Sequence, residues 1–379
     1  MFLKKDYVNL RQKTQALFRI IKVMIVKNTL RTVVLSLLAI LFFTPVKASG
    51  NSDEEFDVRE TIMHHIKDAH EWHITNSLVI PLPIILIDNG LTTFSSADFH
   101  HGETITTSTG EEYVKGSGKA ASYAIYHEKI YKLNENGELS FKDGHPEAEA
   151  PVDLSITRNV VHLFTGALLL LLIGFSVGSY YKKNGAVAPK GLSKFMEPLI
   201  IFVRDEIAKA NINEHKYQKY VPYLLTIFFF ILINNLIGLV PVLGANLTGS
   251  ISVTLVLASF TLLATVFSGN KNYWKHIFAT PGVPVPLLII MIPIELVGVL
   301  TKPFALMIRL FANITAGHII ILALVSIIFI NKNAGWAGLS VPMALFISVL
   351  EILVAFLQAY LFAMLSALYI GGAVEEDHH

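Results

Sequence analysis

The chain has 379 residues, 53% of them hydrophobic and 16% charged, and no cysteine. Its mean hydropathy is +0.54. Several apolar runs of about 18 residues or more mark a multi-span membrane protein rather than a soluble globular domain. The lack of cysteine excludes disulfides and thiolate metal sites. The formal net charge of +1 hides three regimes. Residues 1–48 hold nine Lys/Arg against one acid, residues 49–155 seven against nineteen, and residues 156–379 fourteen against nine. These balances of +8, −12 and +5 predict three segments in different surroundings.

Residues 1–48 read as a secretory signal. Basic residues end at Arg31, the apolar run "VVLSLLAILFF" follows, and Val46-Lys47-Ala48 suits cleavage after a small residue. An uncleaved anchor is the competing reading, but eleven apolar residues are short for a span. The basic region is long for a signal, and a start at Met24 would give one of ordinary length.

Residues 49–155 predict a small, polar, exported α+β domain. Ser52-Asp53-Glu54-Glu55 fits a capping box, after which Val58, Ile62, Ile66 and Ala69 recur at helical spacing. "SLVIPLPIILID" suits an edge strand because of its prolines, with a turn at Asp88-Asn89-Gly90. "YAIYHEKIYKLNENGELSF" predicts a hairpin turning at Asn136-Gly137, and "DGHPEAEAP" a linker. His64, His65, His70 and His73 fall on the expected helix, as solvated surface side chains rather than metal ligands.

Residues 156–379 predict an all-α polytopic membrane domain of five spans, near 157–180, 221–240, 251–268, 286–330 and 340–372. A helix beyond about 30 residues outruns the roughly 30 Å hydrocarbon core, so the last two are expected to tilt. "KFMEPLIIFVRDEIAKANINEHKYQKY" has an apolar side and a charged side, which suits a helix lying on the membrane surface. The loop 181–221 holds eight Lys/Arg, while the opposite loops hold only Lys332. By the positive-inside rule the acidic domain lies outside and the tail "EEDHH" inside.

The fourth span contains "KPFALMIRLFANITAGH". On a helical wheel centred on Arg309, Lys302 lies about 20° away, and Glu295 and Asn313 about 40°. Ala305, Ala312 and Ala316 fall within about 60° of the same direction, so another helix can approach closely there. His318 points the opposite way, about 13 Å further along the axis. Lys302 could snorkel to an interface. Arg309 is too deep in the apolar run for that, and no acid lies four residues away in its helix. A cation so placed usually marks an ion path. Its partner is expected from elsewhere, including another chain.

In the last span Glu351 and Gln358, seven residues apart, share a face, and Glu351 is the only acid. A lone carboxylate among apolar neighbours suits a proton carrier, and His318 titrates near neutral pH. No phosphate loop, nucleophile elbow or metal-binding helix is present. These residues leave three functions open: a channel, an ion-coupled carrier, and a non-conducting assembly protein. A carrier would be expected to show inverted repeats, which the chain lacks, and the aligned polar stripe disfavours a merely structural role.

"IELVGVLTKPFALMIRLFANITAGH" together with "LEILVAFLQAYLFAMLSALYI" closely resembles the subunit a family of F-type ATP synthases. The resemblance covers about residues 157–372. It implies a non-catalytic, multi-pass subunit of a bacterial inner membrane. Its partners would be a ring of c subunits, a peripheral-stalk b subunit, the other synthase subunits and the lipid bilayer. No nucleic acid, cofactor or metal is implied. By the resemblance Arg309 faces the ring carboxylates, with Asn313 beside it. Glu295 belongs to the cytoplasmic half-channel and His318 with Glu351 to the outward one, while Gln358 matches the family's glutamine and Asn235 another channel asparagine. Some relatives carry an acid where this chain has Gly238.

Overall fold

The computed structural model describes residues 67–75, 78–88, 90–107, 111–142, 145–185, 187–240, 247–279 and 284–375. The signal and capping-box segments, His64, His65 and Asn89 lie outside them.

The polar segment folds into short antiparallel sheets. Strands β1 (Glu71–Thr75) and β2 (Leu78–Pro81) pair with each other. β3 (Pro83–Ile87) lies between β4 (Leu91–Ser95) and β11 (Val152–Asp153). β5 (Glu103–Thr106), β6 (Glu112–Lys115), β7 (Tyr123–Tyr126) and β8 (Lys129–Lys132) form a meander, and β9 (Phe141–Lys142) pairs β10 (His145–Pro146). Alternate residues of β3, Ile84 and Leu86, are fully buried and pack with Phe94, Phe99, Tyr123 and Ile130. This is the period-2 pattern of a half-buried strand.

Four expectations are corrected here. The stretch "SLVIPLPIILID" is two strands rather than one: β2, with Pro81, is an edge strand of a two-stranded sheet, whereas β3 is central, with Pro83 at its first residue, where a missing donor is tolerated. The hairpin turns at His127-Glu128, both at positive φ (49° and 66°), while Asn134–Gly137 makes a separate tight turn. "DGHPEAEAP" is no free linker, because β10 pairs within it and the Lys132 amide donates to the Glu149 carbonyl. His70 and His73 do not lie on a helix. His73 falls in β1, and His70, in the bend before it, is buried against Asp153 with Nε2 3.0 Å from Oδ2. Asp153 thereby gains a partner: burial raises its carboxyl, but bonds from His70 and Ser155 prevail and hold it below the ordinary range.

Among the described residues, five helices are long and apolar enough to cross a membrane. They are α1 (Arg158–Asn184), α3 (Tyr217–Gly238), α4 (Ile251–Ser268), α6 (Val285–Ile330) and α7 (Ala337–Val374). α6 has 46 residues and α7 has 38, so they run about 69 Å and 57 Å, well beyond a bilayer core. α1 joins the strands tightly: Arg158 Nη2 donates to the Lys67 carbonyl at 2.7 Å, and the Asn159 amide to Asp68 at 3.1 Å. The short α5 (Lys271–Phe278) is capped by Asn270, which accepts from the Tyr273 amide.

The amphipathic segment is more than a surface helix. α2 (Leu192–Phe202) continues through a π-turn, Val203–Lys209, whose Val203, Ile207 and Ala208 are fully buried. They join a core built by Leu224, Phe228 and Ile231 of α3 and by α7. α7 contributes Ala355, Ala359, Ala363 and Ala367, all fully buried at four-residue spacing. Such a seam of small residues lets backbones approach. The Thr261 hydroxyl bridges α3 and α7, at 3.2 Å from the Tyr223 hydroxyl and 3.1 Å from Ser366.

Candidate functional site

α6 divides sharply by face. Leu306, Met307, Leu310 and Ile314 are buried against the other helices. Lys302, Ala305, Arg309, Ala312, Asn313 and Ala316 are all exposed. The stripe read on the helical wheel is thus the uncovered face. Among the described residues no carboxylate pairs with Arg309. A guanidinium surrounded by alanines leaves room for a close-packing partner that brings its own acid.

One end of this stripe opens into a cavity of about 430 Å³. Glu295 and Lys302 line it together with Tyr273 and His276 of α5 and with Tyr369 and Glu375. The Lys302 ammonium lies 5.7 Å from the Tyr369 ring centroid, a cation–π contact that holds the side chain there. Burial, and secondarily the nearby Glu295 carboxylate, push the Tyr273 phenol up. Tyr273, His276, Tyr369 and Glu375 carried no signal in linear spacing. The short amphipathic stretch "KNYWKHIF" was the one available hint.

The second set assembles where α6, α7 and α3 meet. Glu351 and His318 are both half-buried. A Cβ added at Gly317 would run into Oε1 of Glu351, so the carboxylate lies over the glycine next to His318. Gln358 is buried on the same face of α7. Between them, Asn235 Nδ2 reaches the Ala355 carbonyl at 3.4 Å, and its Oδ1 accepts from Thr248 at 2.6 Å. Thr248 escapes a sequence reading because it stands in a single tight turn, Leu247–Gly249, 13 residues on from Asn235 of α3. Neighbouring Asn234, also missed, faces Gly166 of α1 closely and has a buried Oδ1 without a hydrogen-bond partner among the described residues. No group of three or more metal-ligating side chains occurs among the described residues.

Residues 160–371 match the family model described as ATP synthase A chain. The chain is 52% identical over 233 residues to ATP synthase subunit a of Chloroherpeton thalassium, covering 60% of this chain and 69% of that one. It is 44% identical over 321 residues to ATP synthase subunit a of Pelodictyon phaeoclathratiforme, covering 80% and 93%. The chain belongs to the F-type ATP synthase subunit a family. Residues 61–154 match a model for a domain of unknown function. The Pelodictyon match covers more of this chain than its helices alone, so that subunit a relative shares part of the strand region. ATP synthase subunit a 2 of Chlorobaculum tepidum is 52% identical over 263 residues, covering 66% of this chain and 74% of that one.

Proposed function

We propose that this chain is the proton-conducting stator subunit of a rotary F-type ATP synthase, not catalytic by itself. It passes protons through two half-channels to and from the carboxylates of a c-subunit ring. One observation carries the reading. An arginine without an acidic partner among the described residues stands with alanines on the uncovered face of the longest helix.

The ring lies against that face. Arg309 attracts each passing ring carboxylate and holds it ionised until the next arrives, with Asn313 one turn along. A guanidinium does not give up its proton, so no proton crosses directly between half-channels and transfer requires rotation. Glu351 and His318 form the outward access path, continued by Gln358. Asn235, tied to Thr248 and to α7, positions that path. Glu295 lines the opposite path, which opens through the cavity it shares with Lys302.

The same reading makes residues 1–48 a cleaved signal and 49–155 a domain exported from a bacterial inner membrane, with the C-terminus cytoplasmic. The b subunit of a peripheral stalk and the remaining synthase subunits complete the set of partners. Solubilisation in mild detergent followed by affinity capture of this chain tests the assembly. A ring of small hydrophobic subunits is expected to copurify, and capture of an intact monomer without it from an active membrane contradicts the reading.

A further inference from the structure

The end of α1 and the start of α2 enclose a pocket of about 400 Å³ that the proposed proton path does not use. Ser179, Tyr180 and Lys183 line it from the last turns of α1, and Lys190, Leu192 and Ser193 from the other side. Two left-handed glycines, Gly185 (φ 68°) and Gly191 (φ 59°), bend the loop between them. The Tyr180 hydroxyl donates to the Ala188 carbonyl at 3.2 Å and holds the loop against α1. Both lysines therefore serve one pocket, and among the described residues no carboxylate lines it.

The donors point to an anion. Gly191, the residue before α2, has no side chain to cap it, so the first amides of the helix are open to an acceptor at the positive end of the helix dipole. Ser193, in that first turn, is only 3% exposed. Its hydroxyl makes no hydrogen bond among the described residues and lines the pocket. The surroundings point to a lipid. Leu192 of the lining is 43% exposed, and Phe175, Val187 and Phe195, within three residues of lining residues in the sequence, are 70%, 56% and 70% exposed.

We propose that this pocket binds the phosphate headgroup of an anionic phospholipid. Lys183 and Lys190 pair with the phosphate, the first turn of α2 and Ser193 donate to its oxygens, and the acyl chains lie along the flanking aromatic and aliphatic side chains. A zwitterionic headgroup is disfavoured because its ammonium would find no carboxylate there. The proposal requires that the chain lie in a bilayer and is independent of the proton path.

Native mass spectrometry of the full-length chain, delipidated in detergent and mixed with phosphatidylglycerol or phosphatidylethanolamine, tests it. Wild-type protein is expected to retain phosphatidylglycerol on the order of tenfold better. Lys183→Gln with Lys190→Gln is expected to erase that preference, and Ser193→Ala to weaken it by about threefold. Lys182→Gln with Lys194→Gln removes two charges outside the pocket lining and is expected to leave it intact. Should the pocket double variant fail to fold, Lys190→Gln alone, in the loop, is expected to lower the preference by about threefold. Equal retention of the two lipids, or equal loss in the control variant, overturns the proposal. So does complete displacement by millimolar inorganic phosphate, which would mark a free-phosphate site.

Discussion

Glu351 and Gly317 show how one missing side chain sets a carboxylate. The glycine leaves the space that Oε1 of Glu351 fills, beside His318. Gly317→Ala is expected to fold and insert, because the atom it displaces is the far end of a flexible side chain, yet to slow proton-driven synthesis. Glu351→Gln keeps the volume and removes the titrating group. A loss of at least about tenfold in synthesis rate is expected, as for other proton-transfer groups. Unchanged synthesis rates in both Glu351→Gln and His318→Ala would end the assignment of an outward path to this pair. Much of this site was legible in the sequence. Arg309, Lys302 and Asn313 lie on one face by arithmetic alone, and the structure leaves that face bare. What stayed hidden were contacts across elements. Thr248 reaches Asn235 from an irregular turn, and Tyr273 and Tyr369 meet Glu295 and Lys302 only once three helices pack.

At the scale of elements, the apolar runs fixed the bounds of the five long helices among the described residues to within a few residues, because a long hydrophobic run in lipid can satisfy its backbone only as a helix. The polar segment was harder. Asn136-Gly137 has the stronger local turn chemistry, yet the hairpin closes at His127-Glu128, where cross-strand burial of Tyr123, Ala124 and Tyr126 outweighs two left-handed residues. The amphipathic segment likewise concealed its π-turn, whose buried Val203 and Ile207 dock on α3 and α7. That docking is tight. A Cβ at Gly371 of α7 would strike the Asn211 carbonyl, a backbone atom that cannot swing aside. Gly371→Ala is therefore expected to destabilise the bundle by about 1–3 kcal/mol, read as an earlier unfolding midpoint in a denaturing detergent titration. The strand region has its own pH dependence. Asp153, held low in the folded chain, contributes stability above the ordinary carboxylate range and loses it as pH falls through that range towards the folded value. The variant Asp153→Asn is expected to lack this acid-sensitive component when Trp72 fluorescence is followed from pH 6 to 3. An acid titration identical to wild type would show that the His70 contact is not coupled to stability.

Across the whole molecule, charge and hydropathy agree. Among the described residues, the strands fall in the segment that carries twelve more acids than bases, and the helices that could cross a membrane fall in the apolar stretch after it. The exposed turn at Asn134, Glu135 and Asn136 gives a direct probe of sidedness. A glutamyl endopeptidase added to intact spheroplasts is expected to cut there. Protection in spheroplasts with cleavage in inverted vesicles would reverse the orientation. The central claim is that a bare cation on α6 couples proton transfer to rotation, and Arg309→Ala tests it most directly. In inverted vesicles from cells carrying this variant, the chain is expected at wild-type levels while ATP-driven proton pumping is abolished. Arg309→Lys is expected to fail nearly as completely, since a desolvated lysine can release its proton. Pumping at the wild-type rate by Arg309→Ala would contradict the account.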